Sequence, residues 1–337
     1  MDINLFTAQA RSEFIKGMLA VPVEKLDVNS FVTWIPSTAR VETQLWMTPS
    51  PGISEYVGRR RLAKLDQIKL LVENKEFDGG LSVPTRDVED DLVGGYPIRF
   101  NELGAKASRF PERWIYQKLA NGASMTSIDG TNFFATSHNW GGTLITTLPS
   151  PFTGGWNDLT YTSAATSDGL TFKSVFMIVN ETSGPVKPML YQRRKGPDLG
   201  TDAGTPASKK AKQADYWVDL EAEAFPGWWW SAILVNWVNT PNLQDVFTVI
   251  DQVVKMFLGF QLPVSLPSDP PIYVHQGIDM SPGKSLGTVI VSPGLSQLFV
   301  HALYEDRVGV SVAGSTSGIT NNIYLGRWKL LSTGYMV

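Results

Sequence analysis

Apolar residues recur at helical spacing in two long segments. After Thr240-Pro241, the positions Leu243, Val246, Phe247, Ile250, Val253, Val254 and Phe257 form one wholly apolar helical face. From Ile98 onward, Leu103, Ala107, Phe110, Trp114, Ile115 and Leu119 do the same, and Asn121-Gly122 supplies a stop. Pro111 must kink this second helix or begin a new one at its first position. Unbroken, the segment spans on the order of 35 Å at about 1.5 Å per residue, which makes it a strut. Residues 7–16 are modestly amphipathic, with Phe14, Ile15 and Leu19 apolar, and predict an extended arm with one short helix. Ser292 before Pro293 opens a further helix carrying Leu295, Leu298, Phe299, Ala302 and Leu303.

Alternation at period two marks the strands. Ile68, Leu70 and Val72, then Phe77, Leu81 and Val83, flank the turn-prone Glu73-Asn74-Lys75 and predict a long hairpin or two extended strands. A two-stranded ribbon has little core of its own and is marginal alone in water, so it needs something to lie on. Residues 175–179, 186–192, 216–223, 228–238, 288–291 and about 322–331 predict further strands. The segment 200–212, with Lys209, Lys210 and Lys212, reads as an exposed mobile loop, and 135–167 as loop with some strand. Strand on strand followed by helix–strand–helix–strand gives a mixed α+β back half.

Composition narrows the function. The 337 residues suffice for a large core, and the net charge of -3 excludes a dedicated polycationic DNA binder. Zero cysteines remove disulfides, thiolate metal sites and cysteine nucleophiles together. The N-terminus lacks the basic-then-apolar build of a signal peptide, and no apolar run approaches the roughly 18 residues of a membrane span. No G-x-G-x-x-G, Walker, G-x-S-x-G, H-E-x-x-H or EF-hand spacing occurs. His138, His275 and His301 are scattered and are read as structural or surface residues. Asp87, Glu89, Asp90 and Asp91 fit an acid/base or cation site less well than a helix start with an Asp cap. Trp228-Trp229-Trp230 read as a strand covered on both faces in preference to a sugar-stacking platform. Arg59-Arg60-Arg61 fit a phosphate patch or, better, a solvated face or pairing with acids of a neighbouring chain. Asn180-Glu181-Thr182 matches the glycosylation pattern by chance.

An arm, a hairpin, a strut and an α+β body without a catalytic motif is the plan of a shell-building subunit. Leu71-Val72-Glu73-Asn74-Lys75-Glu76-Phe77-Asp78, Pro84-Thr85-Arg86-Asp87-Val88-Glu89-Asp90-Asp91 and Asp129-Gly130-Thr131-Asn132-Phe133-Phe134 with His138 beyond resemble the Mu-type major head subunit of tailed bacteriophages. Val186-Lys187-Pro188-Met189-Leu190-Tyr191-Gln192-Arg193-Arg194-Lys195 and Thr288-Val289-Ile290-Val291-Ser292-Pro293 continue the likeness, which is collinear from about residue 10 to the C-terminus.

The resemblance implies an α+β Hong Kong phage-type capsid fold, or Johnson fold. Its parts fall as an N-arm at 1–40, an E-loop at 41–84, a spine helix with P-domain at 85–135 and a mixed α/β A-domain at 136–337. Strands around 173–238 would partly complete the P-domain, and their place ahead of the helices at 242–258 and 293–305 implies a permuted A-domain order. The implied protein is a non-enzymatic major capsid protein without cofactor or metal, assembling as hexamers and pentamers into an icosahedral head around double-stranded DNA. Its implied partners are scaffolding protein, portal, decoration proteins and nonspecific contact with DNA, with no membrane, and its place is the virion after assembly in the bacterial cytoplasm. Intersubunit contacts are expected at Arg59, Arg60, Arg61 and Lys69, spine packing at Leu103, Phe110, Trp114 and Leu119, and an A-domain helix core at Leu243, Phe247, Ile250 and Val254. A separate scaffold and no large N-terminal processing are expected. Competing readings are an encapsulin-like cargo shell and a soluble carbohydrate-binding protein, the latter motivated by the 11 tryptophans.

Overall fold

Two sheets of different character share the chain in a computed structural model. It describes residues 2–47, 67–90, 94–139, 148–178, 186–262, 272–273, 275, 284–310 and 318–336. The first half runs α1 (Ile3–Ala20), β1 (Val32–Pro36), β2 (Val41–Met47), β3 (Gln67–Glu73), β4 (Lys75–Pro84), α2 (Thr85–Glu89), α3 (Tyr96–Ala120), β5 (Phe152–Gly155) and β6 (Asp158–Thr162). Next come β7 (Thr171–Met177), β8 (Met189–Thr201), α4 (Pro206–Ala211), β9 (Gln213–Pro226), β10 (Ala232–Val238) and α5 (Leu243–Gly259). The chain closes with β11 (Gln261–Leu262), β12 (Ile272–Tyr273), β13 (Gly287–Val291), α6 (Pro293–Tyr304), β14 (Arg307–Val310), β15 (Gly318–Asn321) and β16 (Trp328–Ser332).

The narrow sheet has the order β1-β8-β9-β4. Strand β9 shows why one face carries helices: Ala214, Tyr216, Val218, Leu220 and Ala222 are buried, while Asp215, Trp217, Asp219 and Glu221 alternate with them half-exposed. Helices α1 and α3 run side by side on the buried face. Phe6 and Phe100 both meet Tyr216, with ring centroids 6.0 and 5.0 Å away. The two helices approach closely at glycines, since a Cβ on Gly17 would overlap the Asn101 carbonyl and one on Gly104 the Phe14 carbonyl. Helix α3 is continuous over 25 residues with Pro111 inside it, forgoing one ladder hydrogen bond where the ring is buried.

The broad sheet has the order β16-β13-β7-β10-β6-β5. Helix α6 packs over it through Phe299, 6.0 Å from Phe176 and 6.1 Å from Trp237, and α5 lies beside α6. Helix α5 starts at a capping box in which the Asn242 side chain accepts from the Asp245 amide and Asp245 accepts from the Asn242 amide. Residues of both sheets join one continuous core, and a second core lies toward the far end of the narrow sheet around Phe6, Phe14, Phe100 and Tyr216.

Several expectations change. Strands β3 and β4 are both extended but are not partners, because β3 pairs with β2 and β4 pairs along its whole length with β9. The turn between them is fixed by Asn74, whose amide donates to the Arg40 carbonyl at 2.8 Å. The segment 200–212 is not a loose loop: β8 runs into it as far as Thr201, and α4, capped by the Thr205 hydroxyl, fills the rest up to the start of β9. Trp229–Ser231 form a tight turn rather than strand, although all three tryptophans are buried. Helix α1 reaches from 3 to 20, longer than the short arm helix expected. Asp87 sits inside α2 instead of capping it and accepts from the Tyr96 hydroxyl.

Candidate assembly surface

Strands β2 and β3 form a ribbon whose two faces differ. In its register Val41 opposes Glu73, Thr43 opposes Leu71 and Leu45 opposes Lys69. Side chains alternate across a strand, so these six lie on one face, and all are exposed. Val41, Leu45 and Leu71 are 49, 58 and 72 % accessible, an apolar stripe turned away from the subunit's own body. The opposite face is tied down: Val72 is buried and Leu70 packs against the main core. Arg59, Arg60 and Arg61 lie outside the described residues, whereas Lys69 is exposed at the edge of the stripe.

A chain of amides anchors the ribbon's root. Gln44 donates to Gln192 at 2.8 Å, Gln192 donates to Asn74 at 3.1 Å, and Asn74 donates to the Ser37 hydroxyl at 2.8 Å. Gln192 and Asn74 are buried, so each bond replaces water that has been lost. Ser37 then donates to Glu42 at 2.7 Å. That bond, with the Thr38 and Ala39 amides, holds the Glu42 carboxyl below the usual carboxylate range. Sequence reasoning missed this chain because Gln44 and Gln192 are 148 positions apart with no local spacing signal.

The ribbon's base adjoins the spine. Phe77 of β4 lies 4.5 Å from Phe110 and 4.9 Å from Trp114, and both α3 residues are half-buried against the main core. Leu103 is also half-buried and Leu119 fully buried. Glu223, 5 % accessible, accepts from Lys118 at 2.7 Å and pairs with Lys75 at 3.7 Å, and both ammonium groups sit over the Trp114 ring. Helix α3 is thereby clamped to β9 and β4. On α5, Ile250 and Val254 are buried, while Leu243 and Phe247 are half-buried against the core. Among the described residues no three His, Asp or Glu side chains gather to hold a metal ion, and no helix is long and apolar enough to cross a membrane.

A clamped strut on a half-covered sheet, a ribbon whose apolar face no described residue covers, and a broad α/β layer fit a shell-forming subunit. The fold is that of bacteriophage capsids: the bacteriophage JBD30 capsid superposes with a TM-score of 0.67 at 17 % identity over 93 % of this chain and 91 % of that one. The JBD30 procapsid matches 99 % of this chain and 100 % of that one, with TM-score 0.61 and 19 % identity. By sequence, the chain is 27 % identical over 225 residues to the Mu-like prophage FluMu major head subunit of Haemophilus influenzae, covering 66 % of this chain and 69 % of that one. It is also 27 % identical to the major capsid protein of Escherichia phage Mu over 59 % of this chain and 61 % of that one, less than two thirds of the Mu protein's length. The chain belongs to the Mu-like prophage major head subunit family, whose model matches residues 3–256. It is a structural subunit of a tailed-phage head.

Proposed function

We propose that this subunit self-assembles as hexamers and pentamers into an icosahedral head that encloses double-stranded DNA. The observation that carries the proposal is the ribbon, anchored on one face and exposing Val41, Leu45 and Leu71 on the other. An exposed two-stranded ribbon with an apolar stripe is an edge and a patch that a free monomer must hide, and a neighbouring copy is the natural cover in a closed symmetric shell. Lys69 and the Arg59-Arg60-Arg61 run are proposed to pair with acids of that neighbour, each pair being weak but repeated throughout the shell. In this reading residues 1–40 serve as the N-arm, with β1 at the edge of the narrow sheet, 41–84 as the E-loop, whose ribbon projects while β4 joins that sheet, α3 with the narrow sheet as the spine and P-domain, and the broad sheet with α5 and α6 as the A-domain. Both helices follow β8 and β9 in the chain, which supports a permuted A-domain order. A separate scaffold, a portal and decoration proteins are the proposed partners, with assembly in the host cytoplasm. Contact with the genome is nonspecific, in keeping with a net charge of -3.

The test is negative-stain microscopy of the purified chain, with scaffold co-expressed where it is required, alongside a variant with Arg59, Arg60 and Arg61 changed to Ala. Closed shells or hexameric rings from the parent, and a reduced particle yield with unchanged subunit folding from the variant, support the proposal. A monodisperse monomer under every condition contradicts it.

A further inference from the structure

The chain crosses between the two sheets in the segment after α3, which leads to β5, and again at Trp228–Ser231, which joins β9 to β10. One polar cluster binds both crossings. His138 and Asp129 have fully buried side chains, with Nδ1 of His138 2.7 Å from Oδ2 of Asp129. The imidazole stacks on Trp229 at 4.0 Å between centroids and 7° between planes, and Trp156 meets it edge-on. Nε2 of His138 is 3.0 Å from Oδ1 of Asn157.

The bonding partners fix where the protons lie. Asn157 donates through Nδ2 to the Phe133 carbonyl at 2.7 Å and to the Trp229 carbonyl at 3.0 Å, while its Oδ1 accepts from the Ala135 amide at 3.1 Å. Turning the amide over would set its NH2 against the Ala135 N–H and leave two carbonyls without a donor. Oδ1 therefore faces the ring, and Nε2 must donate. On the other side Thr131 donates through its hydroxyl to Oδ1 of Asp129 at 2.8 Å, so toward Nδ1, also 2.8 Å away, that hydroxyl acts as acceptor. Nδ1 faces this oxygen and a carboxylate oxygen, and it too must donate. Burial pushes the Asp129 carboxyl up, but the bonds from His138 and Thr131 outweigh it and leave the group below the usual carboxylate range. Among the described residues Asp129 is the charged side chain on the ring: Asp158, next to Asn157, turns to the Asn236 amide, and His275 binds the Trp230 carbonyl.

We propose that His138 is a buried imidazolium, locked by Asp129, Asn157 and Trp229, and that this charged pair is the latch holding the loop from Ser127 to Asn139 on Asn157 and on the Trp228–Ser231 crossing. A buried ion pair contributes little net stability, yet losing one partner strands the other, which is how such a pair specifies one arrangement. Removing the proton would leave one ring nitrogen facing an acceptor with nothing to give, and the loop from Ser127 to Asn139 would loosen from Asn157.

The chain has three histidines, which makes the test direct. In a His301→Gln variant labelled with 15N-histidine, as soluble subunit or as sedimented shells, two rings remain. At pH 8 one is expected to show two protonated nitrogens and the other one bare nitrogen; two neutral rings would overturn the proposal. Asp129→Asn is expected to lower the hydrogen-exchange protection of the Ala135 amide at least tenfold while Val175 in the broad sheet changes less than twofold. Unchanged protection at Ala135 would show that the pair is not the latch. Should Asp129→Asn fail to fold, the His301→Gln spectrum decides alone.

Discussion

The broad sheet and the ribbon use the same residues to opposite ends. In β7 and β10, Val175, Phe176, Ile233 and Val235 are inaccessible because helix and neighbouring strands cover both faces. In β2 and β3 one face meets the body, while on the other Val41, Leu45 and Leu71 stay exposed, uncovered by any described residue. The first region stabilises the subunit; the second, in the proposed assembly, keeps its apolar area for a neighbour. Substitutions should therefore separate folding from assembly according to region.

The largest effect on the subunit is expected in the broad sheet. Trp237→Ala removes an inaccessible ring that packs on Tyr161 and Phe299 and donates to Ser174 at 2.9 Å. A loss of about 3–5 kcal/mol is expected from denaturant unfolding, with little folded subunit left. Acid comes next. Burial lowers His275 from 6.5 to about 4, so between those values the unfolded chain takes up a proton that the folded chain refuses. Stability should fall as pH drops through that window, by roughly 3 kcal/mol in total, and His275→Gln should flatten the dependence of unfolding midpoint on pH.

A smaller effect is expected where α1 meets α3. Gly17→Ala places a methyl into the Asn101 carbonyl and must push the helices apart, costing about 1–3 kcal/mol by thermal unfolding. Smallest for the subunit is the ribbon. Leu45→Ser with Leu71→Ser should change unfolding free energy by less than about 0.5 kcal/mol, because both side chains are already in water. The same pair should cut particle yield at least tenfold by sedimentation. A ribbon variant that destabilises the subunit as strongly as Trp237→Ala would dissolve the contrast.

The parts legible in the sequence were those governed by local periodicity. Helix α5 was read almost to its ends because its apolar face repeats every three or four residues, and α3 because a strut of that spacing survives one proline. Period two told that residues 68–72 and 77–83 were strands but not whom they would pair with, since pairing is decided by residues far away, such as Gln192 holding Asn74. The lysine-bearing segment near 209 looked loose because charge density hides the strand ends and the Thr205 cap that order it. His138 carried the weakest signal: Asp129 lies nine residues earlier and Asn157 nineteen later, at no regular period, and only the Gly130 turn brings them together.

The central claim is that a neighbouring subunit covers the ribbon's apolar face, and the chain's lack of cysteine allows it to be measured cleanly. Leu71→Cys introduces one thiol at a site 72 % accessible in the subunit, and its rate of reaction with a maleimide can be followed before and after assembly. The account predicts fast labelling of the free subunit and a rate at least tenfold lower in closed particles. Equal rates in both states would contradict it.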